Sequence, residues 1–114
     1  MAAIRTHPHT VVDELRSLLG AGQVLADPDE LLVYECDGFP IAKGLPLAVV
    51  FPRSPEQVAG CVQLLARHGV PLVPRGTGTG LAGGAVAYGE GVIVCTSRMT
   101  RIESIDLPNR VAVV

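Results

Sequence analysis

Between Pro74 and Gly84 the chain reads Pro-Arg-Gly-Thr-Gly-Thr-Gly-Leu-Ala-Gly-Gly, with five glycines in eleven residues. Each glycine gives up as much as about 1 kcal/mol of extra chain entropy on folding, so a loop built for stability alone avoids such density. What glycines supply is positive φ and bare backbone that a ligand can touch. Successive N–H groups then converge on one anion as a nest. Hydrogen bonds to a charged acceptor contribute about 1.5–3 kcal/mol each, so about three or four can hold a diphosphate without a lysine. Thr77 and Thr79 add hydroxyl donors, and Arg75 is the nearby fixed positive charge. The expected phosphate-contacting set is Pro74, Arg75, Gly76, Thr77, Gly78, Thr79, Gly80, Leu81, Gly83 and Gly84. A branched side chain at Gly78 is expected to strain the loop and to fill the space of a phosphate oxygen.

Two familiar phosphate loops fit less well. A P-loop requires a lysine after its last glycine, and no lysine follows any of these. Gly78, Gly80 and Gly83 satisfy G-x-G-x-x-G, Val70–Val73 supplies a preceding strand, and Glu103 stands near the distance of a ribose-binding acid. That fingerprint also needs a helix to start inside the motif. Gly84, Gly89 and Gly91 follow in quick succession around Val86 and Tyr88, a composition that does not propagate one.

The loop must be held by elements on either side. Leu47–Phe51 is an apolar run of strand length closed by Pro52. Ser54, Pro55 and Gln57 form a capping box with proline at the first helical position. Val58, Cys61, Val62 and Leu65 line one face of the helix, and Arg67-His68-Gly69 ends it, with His68 reading as a dipole-capping cation. Val70–Val73 is a second short strand. The spacing predicts a strand–helix–strand unit whose two strands are parallel neighbours with the helix packed across them. Val92–Cys95 is a further buried strand, a polar strand runs between Ile102 and Ile105, and Leu107–Arg110 is a turn.

Upstream, Thr10 and Asp13 suggest a helix cap followed by Val11, Val12, Leu15, Leu18 and Leu19 at helical spacing, stopped by Gly20 and Gly22. Asp27-Pro28 caps a second, brief helix, Cys36–Pro46 reads as irregular, and Asp37-Gly38 as an Asx-type turn. Residues 1–10 are expected to be a flexible terminus, where a metal site at His7 and His9 has little support. The apolar ending Val111–Val114 suggests a chain cut from a longer protein, because termini are usually solvated.

The 114 residues suffice for one domain, 48 % hydrophobic and 4 % aromatic, so Val, Leu, Ile and Ala must build its core. A net charge of −2 offers no polycationic face for nucleic acid or anionic membrane, and no apolar run is long enough to span a bilayer. Cys36, Cys61 and Cys95 form no CxxC pair, so they read as reduced, mostly buried thiols of a cytoplasmic protein rather than a disulfide frame or zinc site. No isolated residue supports a catalytic or metal-ligating role.

Leu47–Phe51, then Pro52-x-Ser54-x-Glu56-x-Val58, His68-Gly69-Val70-Pro71 and Val73-Pro74-Arg75-Gly76-x-Gly78-Thr79-Gly80 resemble, in this order, the FAD-binding domain of the vanillyl-alcohol oxidase / p-cresol methylhydroxylase (PCMH-type) family. Leu81-Ala82-Gly83-Gly84 and Asp37-Gly38 are most similar to its glycolate oxidase FAD-subunit and D-lactate dehydrogenase branch. The resemblance implies an α+β domain of two subdomains with FAD between them. Residues 1–114 would form the first, truncated at its C-terminal end, with a core over 47–114 and a pyrophosphate loop over 74–84. The substrate domain and the catalytic residues would lie beyond Val114.

The implied activity is FAD-linked oxidation of a small 2-hydroxy acid to its 2-oxo acid, with further oxidase subunits as partners. The fragment alone would be inactive and prone to self-association. Two alternatives stand beside it: a non-catalytic nucleotide-binding or regulatory module, and an FAD-linked oxidase of another substrate class. A histidine tether for the flavin is absent from this loop, since none lies between Pro74 and Gly84.

Overall fold

The computed structural model describes residues 8–114. Helix α1 (Pro8–Leu19) buries Val11, Val12, Leu15 and Leu19, while Leu18 is 42 % exposed. The helix starts ahead of Thr10, so Thr10 lies inside its first turn and is not the cap. Pro8 fits that turn because its missing N–H has no helical partner to lose. Residues 8–10 are therefore helical, and the rest of the expected flexible terminus, with His7, lies outside the described residues. Gly20, at φ 95°, ends the helix and donates to the Arg16 carbonyl at 2.8 Å.

A two-residue strand, β1 (Val24–Leu25), leads to α2 (Pro28–Leu31), whose cap Asp27 accepts the Asp29 N–H at 2.9 Å. After the irregular connection come β2 (Ala48–Val50), α3 (Pro55–His68), β3 (Leu72–Arg75) and β4 (Val92–Cys95). The cap forms at Ser54, whose hydroxyl accepts the Gln57 N–H at 3.2 Å, but the reciprocal bond is shifted by one residue: the Gln57 side-chain Oε1 accepts the N–H of Arg53 at 2.8 Å rather than that of Ser54. At the other end Gly69 turns left-handed at φ 64°. The Val70 N–H reaches the Leu65 carbonyl at 3.0 Å, and the Gly69 N–H reaches that of Ala66 at 3.1 Å, a Schellman pairing. The buried face is Cys61, Leu64 and Leu65, whereas Val62 is 47 % exposed. His68 pairs across the helices, its Nε2 lying 3.1 Å from Glu14 Oε1, rather than capping a dipole alone.

The sheet order is β1-β2-β4-β3, with β1 antiparallel and the other three parallel. β2 and β3 are thus parallel members of one sheet but not neighbours, which corrects the sequence reading. Ile93 stands opposite both Val49 and Val73. The reason is chemical. β4 is Val-Ile-Val-Cys and buried on both faces, which suits the centre of a parallel sheet, whereas β3 carries Pro74, which lacks a ladder donor and suits an edge. Ala48, Val50, Val92 and Val94 pack against α1 and α3. Val49, Phe51, Val73, Ile93 and Cys95 face Leu31 and Ala87 on the other side.

A separate hairpin, β5 (Ser104–Asp106) and β6 (Val111–Val113), follows through a turn in which Arg110 adopts φ 55°. The Asp106 carboxylate accepts Asn109 Nδ2 at 2.7 Å and the Asn109 N–H at 3.1 Å. The side-chain bond first, then the backbone bond, holds its carboxyl below the usual aspartate range. Every residue from Thr96 to Val114 is exposed. No helix among the described residues is long and apolar enough to cross a membrane.

Candidate functional site

β3 and β4 run parallel, so the chain between them leaves the carboxyl end of one strand and returns to the amino end of its neighbour. It does so without a helix, which excludes the dinucleotide fingerprint despite the literal G-x-G-x-x-G match. The first half of this connection encloses an open cleft of about 420 Å3 lined by Asp37, Pro74–Gly80, Ala82, Gly84 and Ala85. Clefts at the carboxyl ends of parallel strands are the common ligand site of such sheets. Of the ten residues singled out from the sequence, eight line the cleft. Leu81 is 77 % exposed, and Gly83, at φ 73°, sits beside Ala42 instead.

The glycines divide into two kinds. Gly78 adopts φ 77°, and a Cβ there would run into the Arg75 guanidinium. Within the protein the obstruction is Arg75, a neighbour that the sequence did not signal. Gly76 and Gly84 have φ outside the left-handed region, and a Cβ on either would meet nothing within 4 Å; at Gly80 it would meet only Asp37 Oδ2 at 3.9 Å. Nothing in the protein's own packing requires glycine at these three positions. They leave bare backbone beside open space, as a phosphate cradle needs.

Arg75 is engaged by the protein itself. Its Nη1 donates to the Cys36 carbonyl at 2.9 Å, and its Cζ lies 5.4 Å from the Tyr34 ring centroid. From the sheet side, buried Cys95 donates its thiol to the Gly76 carbonyl at 3.2 Å, and the Thr96 N–H donates to the Arg75 carbonyl at 2.9 Å. Arg75 is thus held to a carbonyl and a ring at the base of the loop. Cys61, on the buried face of α3, is pushed up in pKa by burial and remains a packing thiol.

Sequence reasoning missed Asp37 as a member of the cleft. It does form the expected Asx turn, Oδ1 accepting the Phe39 N–H at 2.8 Å, but it is only 8 % exposed and its Oδ2 accepts the Ala85 N–H at 3.4 Å. The available signal was the Asp-Gly dipeptide; its partner lies 48 residues away and leaves no local trace.

Residues 46–114 match the family model described as FAD binding domain. Among curated proteins, the chain is 37 % identical over 97 residues to the glycolate oxidase subunit GlcD of Escherichia coli (strain K12), covering 85 % of this chain and 19 % of that protein. It is 40 % identical over 103 residues to the D-2-hydroxyglutarate dehydrogenase of Stutzerimonas stutzeri (strain A1501), covering 90 % and 22 %. The chain thus spans about a fifth of the length of these relatives. Among solved structures, p-cresol methylhydroxylase with substrate bound superposes with a TM-score of 0.74 at 30 % identity, over 86 % of this chain and 20 % of that one. An alkyldihydroxyacetonephosphate synthase shares the fold with a TM-score of 0.80 at 21 % identity, over 98 % and 23 %. The helix-free glycine loop, the mixed sheet that carries it and the family match over more than half of the chain agree: the protein belongs to the FAD-binding domain family of FAD-linked oxidoreductases, with the PCMH-type fold and FAD as its cofactor.

Proposed function

We propose that the whole protein oxidises a small 2-hydroxy acid, of the glycolate or D-lactate kind, to its 2-oxo acid, and that this domain holds the pyrophosphate of FAD on its 74–84 loop. The observation that carries the cofactor role is the bare backbone of Gly76, Gly80 and Gly84, left beside the cleft without any packing reason for glycine. Pro74, Arg75 and Thr77–Thr79 frame the cradle, Leu81 contributes its backbone N–H, and Gly83 sets the bend beside Ala42. The substrate class rests on relatives named for glycolate, D-2-hydroxyglutarate and D-lactate, which share one functional group, a hydroxyl alpha to a carboxylate.

FAD, when bound, supplies the acceptor for the hydride that leaves the α-carbon as the substrate hydroxyl loses its proton. This chain's part is to bind and orient: a dipolar cradle fixed to a rigid sheet sets where the cofactor can sit. The substrate-binding and catalytic residues belong to the larger share of the relatives' length that this chain does not span. We place the protein in the cytoplasm, working with further oxidase subunits, as a relative named an oxidase subunit suggests.

The test is anaerobic titration of the purified full-length flavoprotein with glycolate, D-lactate and D-2-hydroxyglutarate. Bleaching of the oxidised flavin band by at least one of them is the expected result. Bleaching by 4-alkylphenols alone would move the protein to another substrate class, and a flavin-free or unreducible protein would make it a non-catalytic module.

A further inference from the structure

We propose that Asp37-Gly38, which lies upstream of the matched family segment at 46–114, is the second half of the phosphate cradle, with Asp37 as a positioning residue for the glycine loop. The inference rests on the cofactor role proposed above for residues 74–84.

Two close approaches define this back wall. A Cβ on Gly38 would lie 2.7 Å from the Gly80 carbonyl oxygen and 2.9 Å from that of Thr79, so both carbonyls turn toward the Gly38 Cα. All described peptides are trans, and in a planar trans peptide the N–H opposes the C=O. The N–H groups of Gly80 and Leu81 therefore point away from Gly38, out of the wall that receives the carbonyls. Gly38 is glycine because the loop lies too close for a side chain, and that closeness orients two donors for an anion.

Asp37 holds the other end of the same loop. Its Oδ1 closes the turn at Phe39, which fixes the carboxylate. Its Oδ2 reaches across to the Ala85 N–H, just past Gly84. A side chain that is 8 % exposed and lines the cleft would repel a diphosphate if its oxygens faced it freely. Both oxygens instead accept backbone N–H bonds, so the carboxylate acts through the loop rather than on the ligand. The connection is itself anchored, because Arg75 donates to the Cys36 carbonyl one residue earlier and Gly44 packs against the Ala87 carbonyl further on. The 36–44 connection and the 76–87 loop are one built unit.

The experiment uses the full-length protein stripped of FAD, measuring FAD affinity by flavin fluorescence quenching and apoprotein melting by circular dichroism. Asp37→Asn keeps the size and one acceptor but cannot both close the turn and accept from Ala85. It is expected to raise the FAD Kd about tenfold with the apoprotein melting temperature within a few degrees of wild type. Gly38→Ala is expected to do the same or more by pushing Thr79 and Gly80 out of register. An Asp37→Asn Kd within about twofold of wild type would overturn the proposal, as would an apoprotein melting loss that accounts for the whole affinity change. Should Gly38→Ala fail to fold, Asp37→Asn decides alone. A wild-type protein that binds no FAD would instead sink the cofactor reading.

Discussion

Arg75 and Cys36 are joined across 39 residues of sequence: the guanidinium donates to the Cys36 carbonyl at 2.9 Å while lying over the Tyr34 ring. A cation placed this way braces the base of the glycine loop. Arg75→Ala should destabilise the domain by about 1–2 kcal/mol, the worth of one charge-assisted hydrogen bond and a part-exposed ring contact. Arg75→Lys should recover less than half of that, since a point charge cannot make both contacts. The salt dependence of FAD affinity should be the same in wild type and Arg75→Ala, measured as the slope of log Kd against log salt. A shallower slope in the variant would mean that Arg75 contacts phosphate directly.

The two kinds of loop glycine should separate under mutation. Gly76→Ala meets no protein atom and needs no left-handed backbone, so the apoprotein should be unchanged or up to about 1 kcal/mol more stable, while FAD content falls. Gly78→Val forces a branched residue to φ 77° and displaces the Arg75 guanidinium, and should lose about 2–3 kcal/mol together with most of its flavin. Melting curves of the apoproteins beside flavin-to-protein ratios would check both. A stable, fully flavinated Gly76→Ala protein would remove the cradle.

Ser54 offers a control remote from the cleft. Its hydroxyl caps α3, so Ser54→Ala should lower stability by about 1 kcal/mol, or roughly 4–8 °C in melting temperature for a domain of this size. FAD affinity should stay within error of wild type. If it fell with stability, affinity would be reporting general loosening rather than the loop.

The hairpin governs how the 114-residue chain behaves by itself. Ile105, Val111 and Val113 are 64 %, 51 % and 47 % exposed, a bare apolar ribbon. The isolated chain should self-associate at micromolar concentration and retain FAD poorly, because it holds one part of the cofactor's surroundings. Light scattering should show a fall in mean mass with Ile105→Lys and Val113→Lys. Saturable FAD binding tighter than about 1 μM, near −8 kcal/mol, would show that the chain already carries the main contacts.

Local chemistry was mostly legible in the sequence, the cap placed at Thr10 aside, and non-local arrangement was not. Ser54, Pro55, Gln57 and Gly69 dictate α3 because caps are made by residues within a few positions of one another. The rotation of the same helix was not legible: Val62 fits the periodic face as well as Leu64 does, and the choice was made by α1, where Leu18 lies against Gly60. Neighbouring strands in sequence usually pair, so β2 was expected beside β3. The all-apolar β4 displaced that pairing, and Pro74 at the edge was the one clue. The loop itself was readable because its glycines are excessive for any packing purpose. Asp37 was not, because its reach to Ala85 exists only once the loop has folded back.

The position of β4 also makes it the one strand that joins β2 to β3. Until Val92–Cys95 arrives, β2 and β3 have no strand ladder between them, and the unit around α3 is a helix flanked by two open edges. Pairing of β4 with β3 brings together the two ends of the connection that carries the glycine loop. Its many accessible conformers slow that closure, since loop entropy must be lost before the ladder on both sides of β4 repays it. A variant that stiffens the loop without blocking the cleft should therefore hasten formation of the sheet, and one that delays β4 leaves two sticky edges exposed to other chains.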